Sequence, residues 1–341
     1  MIWLSWRQFR VQALAGAVAL VLAAAYLVYL GGDIRDAHDV YRSKCGGRAD
    51  CAEPRAQFRS AYESTLLFLA AGLGLVPAVL GTFWGAPLVA RELEAGTHRM
   101  VWNQSVTRGR WLLVKLLVVG AAAMVVTGTA AALLTWAAAP FDEVVENRFG
   151  TFEFGARNVA PVGYAALAFT FGAVAGLVLR RTLPAMAVTL AGFLVFQFLF
   201  PNLVRPGLMP PERTTLPMTA QAINQARSLG SIGGGAVVGG VRIPDEPDAW
   251  ISDLSPLRTA DGRNLGERRF NACLDSPPRT GATGTFGDTA VCLGKLRLHV
   301  AVAYHPADRY WAFQWAETAV YLALSGLLAA FGLWRVRRRV T

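Results

Sequence analysis

Charge is scarce in this sequence, and the places where it is missing are the most informative. Of 341 residues, 16% are charged and 54% hydrophobic, and the mean hydropathy is positive. Soluble globular domains carry about 25% charged residues, so this balance excludes an ordinary soluble domain and points to the membrane. Five stretches contain no Asp, Glu, Lys or Arg: Val11 to Leu30, Ser64 to Ala90, Leu116 to Phe141, Asn158 to Leu179 and Thr182 to Val204. A sixth, Tyr310 to Trp334, contains one acid, Glu317. Each is long enough for the roughly 20 apolar residues that a helix needs to cross a bilayer. The first run exceeds a signal-peptide core and lacks a clear small-residue cleavage site, so it is expected to remain as a true span.

Chemical motifs are missing as well. No G-x-x-x-x-G-K-[ST] phosphate loop, H-E-x-x-H or G-x-S-x-G occurs, which argues against an ATPase, a zinc protease or a serine hydrolase built into this chain. "GSIGGGA" lacks the lysine of a nucleotide loop and suits a hairpin or turn. His299 and His305 lie on "HVAVAYH" and would share one strand face, but no third ligand accompanies them. Neither a metal site, a cofactor nor a catalytic residue is expected.

The chain has four cysteines. Cys45 and Cys51 fall after the first span, Cys273 and Cys292 between the fifth and sixth, and none lies within a span. Disulfides persist in oxidising compartments, so the simplest pairing is two local bridges, Cys45 with Cys51 and Cys273 with Cys292, on the external side.

The basic residues show the opposite distribution. Arg7 and Arg10 precede span one, Arg91, Arg99, Arg108, Arg110 and Lys115 separate spans two and three, Arg180 and Arg181 separate spans four and five, and Arg335, Arg337, Arg338 and Arg339 follow span six. All lie on one side of a six-span arrangement, where the acids are Glu92 and Glu94. Short basic segments stay in the cytoplasm, so both termini are expected there. The same rule accounts for the net charge of +10 better than nucleic-acid binding does.

The expected organisation follows. Residues 1–10 read as an amphipathic helix lying along the cytoplasmic surface, or as the ragged start of span one. Residues 11–200 carry five spans with a polar insert at 91–115, residues 310–334 the sixth span, and 335–341 a basic tail. About 105 residues between spans five and six are too many for a structureless loop. Strand-like "AVVGGVRI" and "LRLHVAVAYH", helix-compatible "TAQAINQARSLG" and a cysteine pair make residues 201–309 a small α+β extracytoplasmic subdomain. Gly172 to Gly176, "GAVAG", is a small-xxx-small pattern that permits close helix approach, and Pro77, Pro87 and Pro184 are candidate kinks.

Two features invite a functional reading. Glu317 is an acid within a span, by default a gating or substrate-contact candidate, although snorkelling or pairing with an external arginine also accounts for it. The insert "RELEAGTHRMVWNQSVTRGRWLLVK" should extend span two, break at Gly96, restart at Thr97 as a short helix to Gln104, and turn again near Gly109. That helix would offer Met100, Val101 and Trp102 to a partner.

The element R-E-x-E-x-G-T, then S-V-T-R-x-R-W-L-x-x-K leading into a span, resembles the membrane subunit of ABC-2 type ABC transporters. The resemblance extends to the six-span layout and covers nearly all of the chain outside the large external segment. It implies that residues 91–115 form a coupling helix docked on a separate ABC ATPase, with Glu92, Glu94, Gly96, Thr97 and Arg99 at the motif positions and Arg108, Arg110 and Lys115 at its far end. It further implies a bacterial multi-pass permease acting as a dimer, most simply a homodimer, with two ATPase copies that bind ATP and Mg and drive an amphiphilic substrate outward. The alternatives are a charged loop that sets topology and, for the whole chain, a membrane-anchored sensory or scaffold protein with an external ligand-binding subdomain.

Overall fold

The computed structural model describes residues 2–46, 51–96, 107–145, 148–244, 246, 248–275, 277 and 279–339, with side chains from residue 9 to 338. Among the described residues, six helices are long and apolar enough to cross a membrane: Phe9–Cys45, Ala52–Glu94, Arg108–Val145, Ala160–Leu179, Thr182–Gly207 and Ala307–Arg338, here spans one to six. The chain divides into a helical unit, Met1–Arg205 with Trp311–Thr341, and a second unit, Pro206–Tyr310.

Span one belongs to helix α1, Ile2–Cys45, which is unbroken. Residues 2–10, read above as a surface helix or as the start of span one, are the first turns of α1, because no glycine or proline interrupts the chain before Gly16. Span two is segmented. Helix α2, Ala52–Gly74, gives way to α3, Val76–Leu80, then a π turn at Gly81–Gly85, then α4, Ala86–Glu94. Pro77 and Pro87 occupy the first turns of α3 and α4, where a missing N–H costs little.

The π turn is where spans two and four meet most closely. A methyl group added at Gly81 would lie 2.5 Å from the Ala168 carbonyl oxygen, and one at Gly85 would lie 2.5 Å from that of Phe169. From the other side, a methyl at Gly176 would lie 2.5 Å from the Ala86 carbonyl oxygen, and one at Gly172 would run into that of Gly81. The "GAVAG" pattern therefore has a partner in "GTFWG", and two small-xxx-small pairs bring the backbones together as packing in lipid favours. Span four is accordingly the most enclosed, 78% of its most apolar stretch being buried against 22% for span five.

Helix α5, Arg108–Val145, contains Gly109 in its first turn rather than a turn of the chain. The Arg337 side chain lies against that glycine, filling the space a larger residue would need. A short helix, α6, Thr151–Ala156, leads to α7, Ala160–Leu179, which Arg180 ends in the left-handed conformation. One extended residue, Arg181, then begins α8, Thr182–Leu199. Span five does not stop at Pro201. It continues as a π turn, Phe200–Val204, and a 3-10 turn, Arg205–Gly207, changes of helical register that absorb the lost N–H.

The second unit contains a three-stranded antiparallel sheet in the order β1-β5-β4, from β1 Glu212–Met218, β4 Trp250–Leu254 and β5 Leu298–His305. Strand β1 is not among the strand-like stretches named from the sequence. As an edge strand it tolerates Pro217, which cannot donate to the ladder. Strands β2 Ser228–Ile232 and β3 Gly235–Gly239 form a separate hairpin. Its turn residues Gly233 and Gly234 have φ of +59° and +80°, as a two-residue hairpin turn of the primed type requires. Helices α9 Ala220–Gln225, α10 Glu267–Asp275 and α11 Gly287–Gly294 complete the unit. Its core gathers Ile223, Phe270, Leu293 and Val300, and a disulfide joins Cys273 to Cys292. In the helical unit, Cys45 is bridged to Cys51. Helix α12, Tyr310–Arg339, carries span six.

Candidate functional site

The sequence drew attention to two places, the 91–115 insert and Glu317, and the structure sets them at opposite ends of the helical unit. At the insert, α4 ends at Glu94, and Gly96 follows with φ of +71°, a conformation suited to glycine. Thr97, Arg99, Met100, Val101 and Trp102, together with the short helix expected there, lie outside the described residues. The chain resumes at Thr107 and enters α5 at Arg108.

The two acids of the motif are occupied within the chain. Glu92 pairs with Lys115 at 2.5 Å, both side chains being largely buried, and the Lys115 ammonium also donates to the Leu88 carbonyl oxygen at 3.4 Å. This ion pair joins the two ends of the insert. Two residues further along, the Glu94 carboxylate accepts from the Thr182 backbone N–H at 3.0 Å and from its hydroxyl at 2.7 Å. Those bonds satisfy one of the donors that every helix start leaves open. Span five has no side-chain cap of its own, so span two supplies one.

At the opposite end, Glu317 is fully buried and paired. The Arg205 guanidinium donates to its two oxygens at 2.7 and 3.1 Å, and the Tyr164 hydroxyl donates to one of them. Arg205 lies 4.0 Å over the Phe154 ring. Nearby, the Gln314 amide oxygen accepts from the Ala160 backbone N–H at 2.9 Å, while its nitrogen donates to the Phe154 carbonyl oxygen at 3.1 Å. Gln314, Glu317, Thr318, Tyr321 and Ser325 are all buried. Their spacing places them on one face of span six, where they meet Ala160, Tyr164 and Thr170 of span four. The intramembrane acid thus has the arginine partner that such a site requires. It does not snorkel to water.

Below this polar face an apolar groove of about 300 Å³ lies between spans four, five and six, lined by Phe171, Phe193, Phe196, Leu324, Leu327 and Leu328 among others. No group of three or more His, Cys, Asp or Glu able to hold a metal ion occurs among the described residues.

Arg205, Tyr164, Gln314 and Thr182 were not singled out from the sequence. For Arg205 a signal was available: it is the first charge after the uncharged run Thr182 to Val204, and Glu317 is the one acid in the run Tyr310 to Trp334. The other three are uncharged residues whose roles depend on tertiary contacts.

The ABC-2 membrane transporter related family model matches residues 17–205. The chain belongs to the ABC-2 membrane transporter related family. The match runs from the first span to the residue that pairs with Glu317, and so covers five spans and the insert. No curated protein matches the chain, and no solved structure does. As an ABC-2 family protein with six apolar helices it is a multi-pass membrane component of a transporter, and membership implies association with an ABC ATPase. This favours a transporter over the sensory or scaffold alternative.

Proposed function

We propose that the chain is the permease subunit of an ATP-driven exporter, with its termini and residues 91–115 in the cytoplasm. A homodimer of the chain would dock two copies of an ABC ATPase through the 91–115 segment, with Gly96, Thr97, Arg99, Met100, Val101 and Trp102 forming the contact. ATP and Mg bind to the ATPase. Closing of the ATPase pair moves the two segments, and the spans rearrange so that substrate leaves outward. The observation that carries this reading is the family match across the insert and five spans. The placement of basic residues supports the cytoplasmic assignment, and the apolar groove beside a buried polar face supports an amphiphilic substrate.

Within this reading Glu92, Glu94 and Glu317 have roles inside the permease. Glu92 clamps the base of the docking segment and Glu317 holds the outward end closed through Arg205. Both carboxylates of the coupling motif would then shape the segment while its apolar residues grip the ATPase.

The test is copurification. An ABC ATPase should accompany the chain, and its hydrolysis rate should change on reconstitution. Replacing Arg99→Glu together with Trp102→Ala should reduce ATPase binding on the order of tenfold or more, the effect of losing central interface contacts, while membrane insertion is unchanged. Retention of a different cytoplasmic partner with no ATPase would sink the proposal.

A further inference from the structure

We infer that Glu94 is a positioning residue that passes movement of the 91–115 segment to span five by capping that span's first turn. The inference rests on the reading of 91–115 as the ATPase-docking segment.

The geometry separates a rigid block from a loosely held helix. Spans two and four are locked where Gly81 and Gly85 meet the Ala168 and Phe169 backbone and Gly172 and Gly176 meet that of Gly81 and Ala86. Span five touches span two mainly through methyl-sized groups, Ala185 packing with Ala86 and Ala90 and Met186 lying partly buried beside them. Such a contact offers little interdigitation to resist tilting. Among the described residues, three polar ties hold span five: Glu94 to Thr182 at its start, the Gln197 amide to the Gly74 carbonyl oxygen at 2.8 Å along its length, and Arg205 to Glu317 at its far end.

Glu94 sits at the mouth of the insert, two residues beyond Glu92 of the Glu92–Lys115 clamp and at the last position of the same helix. A shift of the clamped base therefore has a polar path to the Thr182 N–H through the Glu94 carboxylate, beside the apolar contact at Ala185. Arg205 lies in the last turn of span five, so a tilt begun at Thr182 would be delivered to the Glu317 pair. The Glu94 bonds are solvent-exposed, where water can replace them at small cost. A tie of that kind can break and re-form during a cycle.

The experiment uses the full chain with its copurified ATPase in lipid nanodiscs. Among the described residues there are no free cysteines, so a spin label on Leu203→Cys, an exposed site on span five, reports that span. ATP with vanadate should change the label's spectrum in the otherwise unaltered protein. Glu94→Ala should keep ATPase binding and vanadate trapping but shrink the spectral change on the order of tenfold, a usual size for coupling between sites. Glu94→Gln keeps an acceptor for both Thr182 donors and should behave as the original. Thr182→Val removes one donor without touching the docking face, and it should give an intermediate loss even if Glu94→Ala fails to fold.

A full spectral change in Glu94→Ala, or in Thr182→Val when Glu94→Ala is unstable, would overturn the inference and leave the transporter reading intact. Loss of ATPase binding in both Glu94→Ala and Glu94→Gln would also overturn it, by making the carboxylate a docking contact. Absence of any ABC ATPase from the unaltered preparation would overturn both readings.

Discussion

Spans four and five both begin without a capping side chain of their own, and each borrows an acceptor from another span. Span four takes the Gln314 amide, neutral, fully buried and itself held by a bond to the Phe154 carbonyl oxygen. Span five takes the Glu94 carboxylate, charged and in contact with solvent. A buried acceptor in lipid-spanning structure has no water to fall back on, so releasing it costs its full desolvation. An exposed carboxylate can exchange its donors for water. The same geometric solution therefore makes a fixed joint at one end of the helical unit and an exchangeable one at the other.

The ion pairs follow the same contrast, and the largest expected effect comes from breaking the buried one. Glu317→Ala leaves Arg205 buried beside Tyr164 without its carboxylate. The expected loss of stability is about 3–5 kcal/mol, seen as a lower thermal unfolding midpoint in lipid nanodiscs. Replacing both partners, Arg205→Met with Glu317→Leu, should recover most of that loss, because an apolar pair of similar volume avoids the desolvation cost. If the double variant is as unstable as the single one, the cluster is not an ion pair whose worth lies in mutual neutralisation.

At the other end, Lys115→Met strands Glu92, whose side chain keeps 13% of its surface in contact with solvent against none for Glu317. Partial hydration should limit the cost to about 1–3 kcal/mol, and Glu92→Gln in the same chain should return part of it. Equal destabilisation by Lys115→Met and Glu317→Ala in the same unfolding assay would break the contrast between the two ends.

Much of this architecture was legible because the relevant signals are local. Six uncharged or nearly uncharged runs give six spans, and cysteine positions gave both bridges, since length and charge are properties of the chain itself. The break at Gly96 was legible for the same reason. What escaped depended on tertiary partners. The "GAVAG" motif has meaning only with Gly81 and Gly85 across from it, in a glycine-rich chain where such matches are common. Strand β1 was hidden by Pro217, which an edge position permits and a central one would not. Glu92 and Glu94 looked like surface charges because nothing local says that Lys115 folds back to one and Thr182 to the other. Arg205 was obscured by Pro201, which suggested that span five had already ended.

The smallest expected effect concerns a third buried polar group, His305 in the second unit, which differs from both ends by being able to titrate near neutrality. It is fully buried, its ring tilted by 30° against that of Trp250 at 5.1 Å between centroids. Burial first, and then the Arg309 cation, lower its pKa below the usual value of 6.5, against the opposing pull of the Pro206 carbonyl and Glu212. The folded form therefore resists a proton that the unfolded chain accepts. The unfolded state binds more protons below about pH 6.5, so stability falls with acidification from there and levels off below the lowered folded pKa. Hydrogen exchange at the β5 amides, corrected for intrinsic rates, should quicken between about pH 7.5 and about pH 5.5, and His305→Phe should flatten that dependence. Over the same interval the amides around Gln314 and Glu317 should keep their protection. A pH response shared equally by both regions, or one that survives His305→Phe, would show that acidification acts on the chain through some other group.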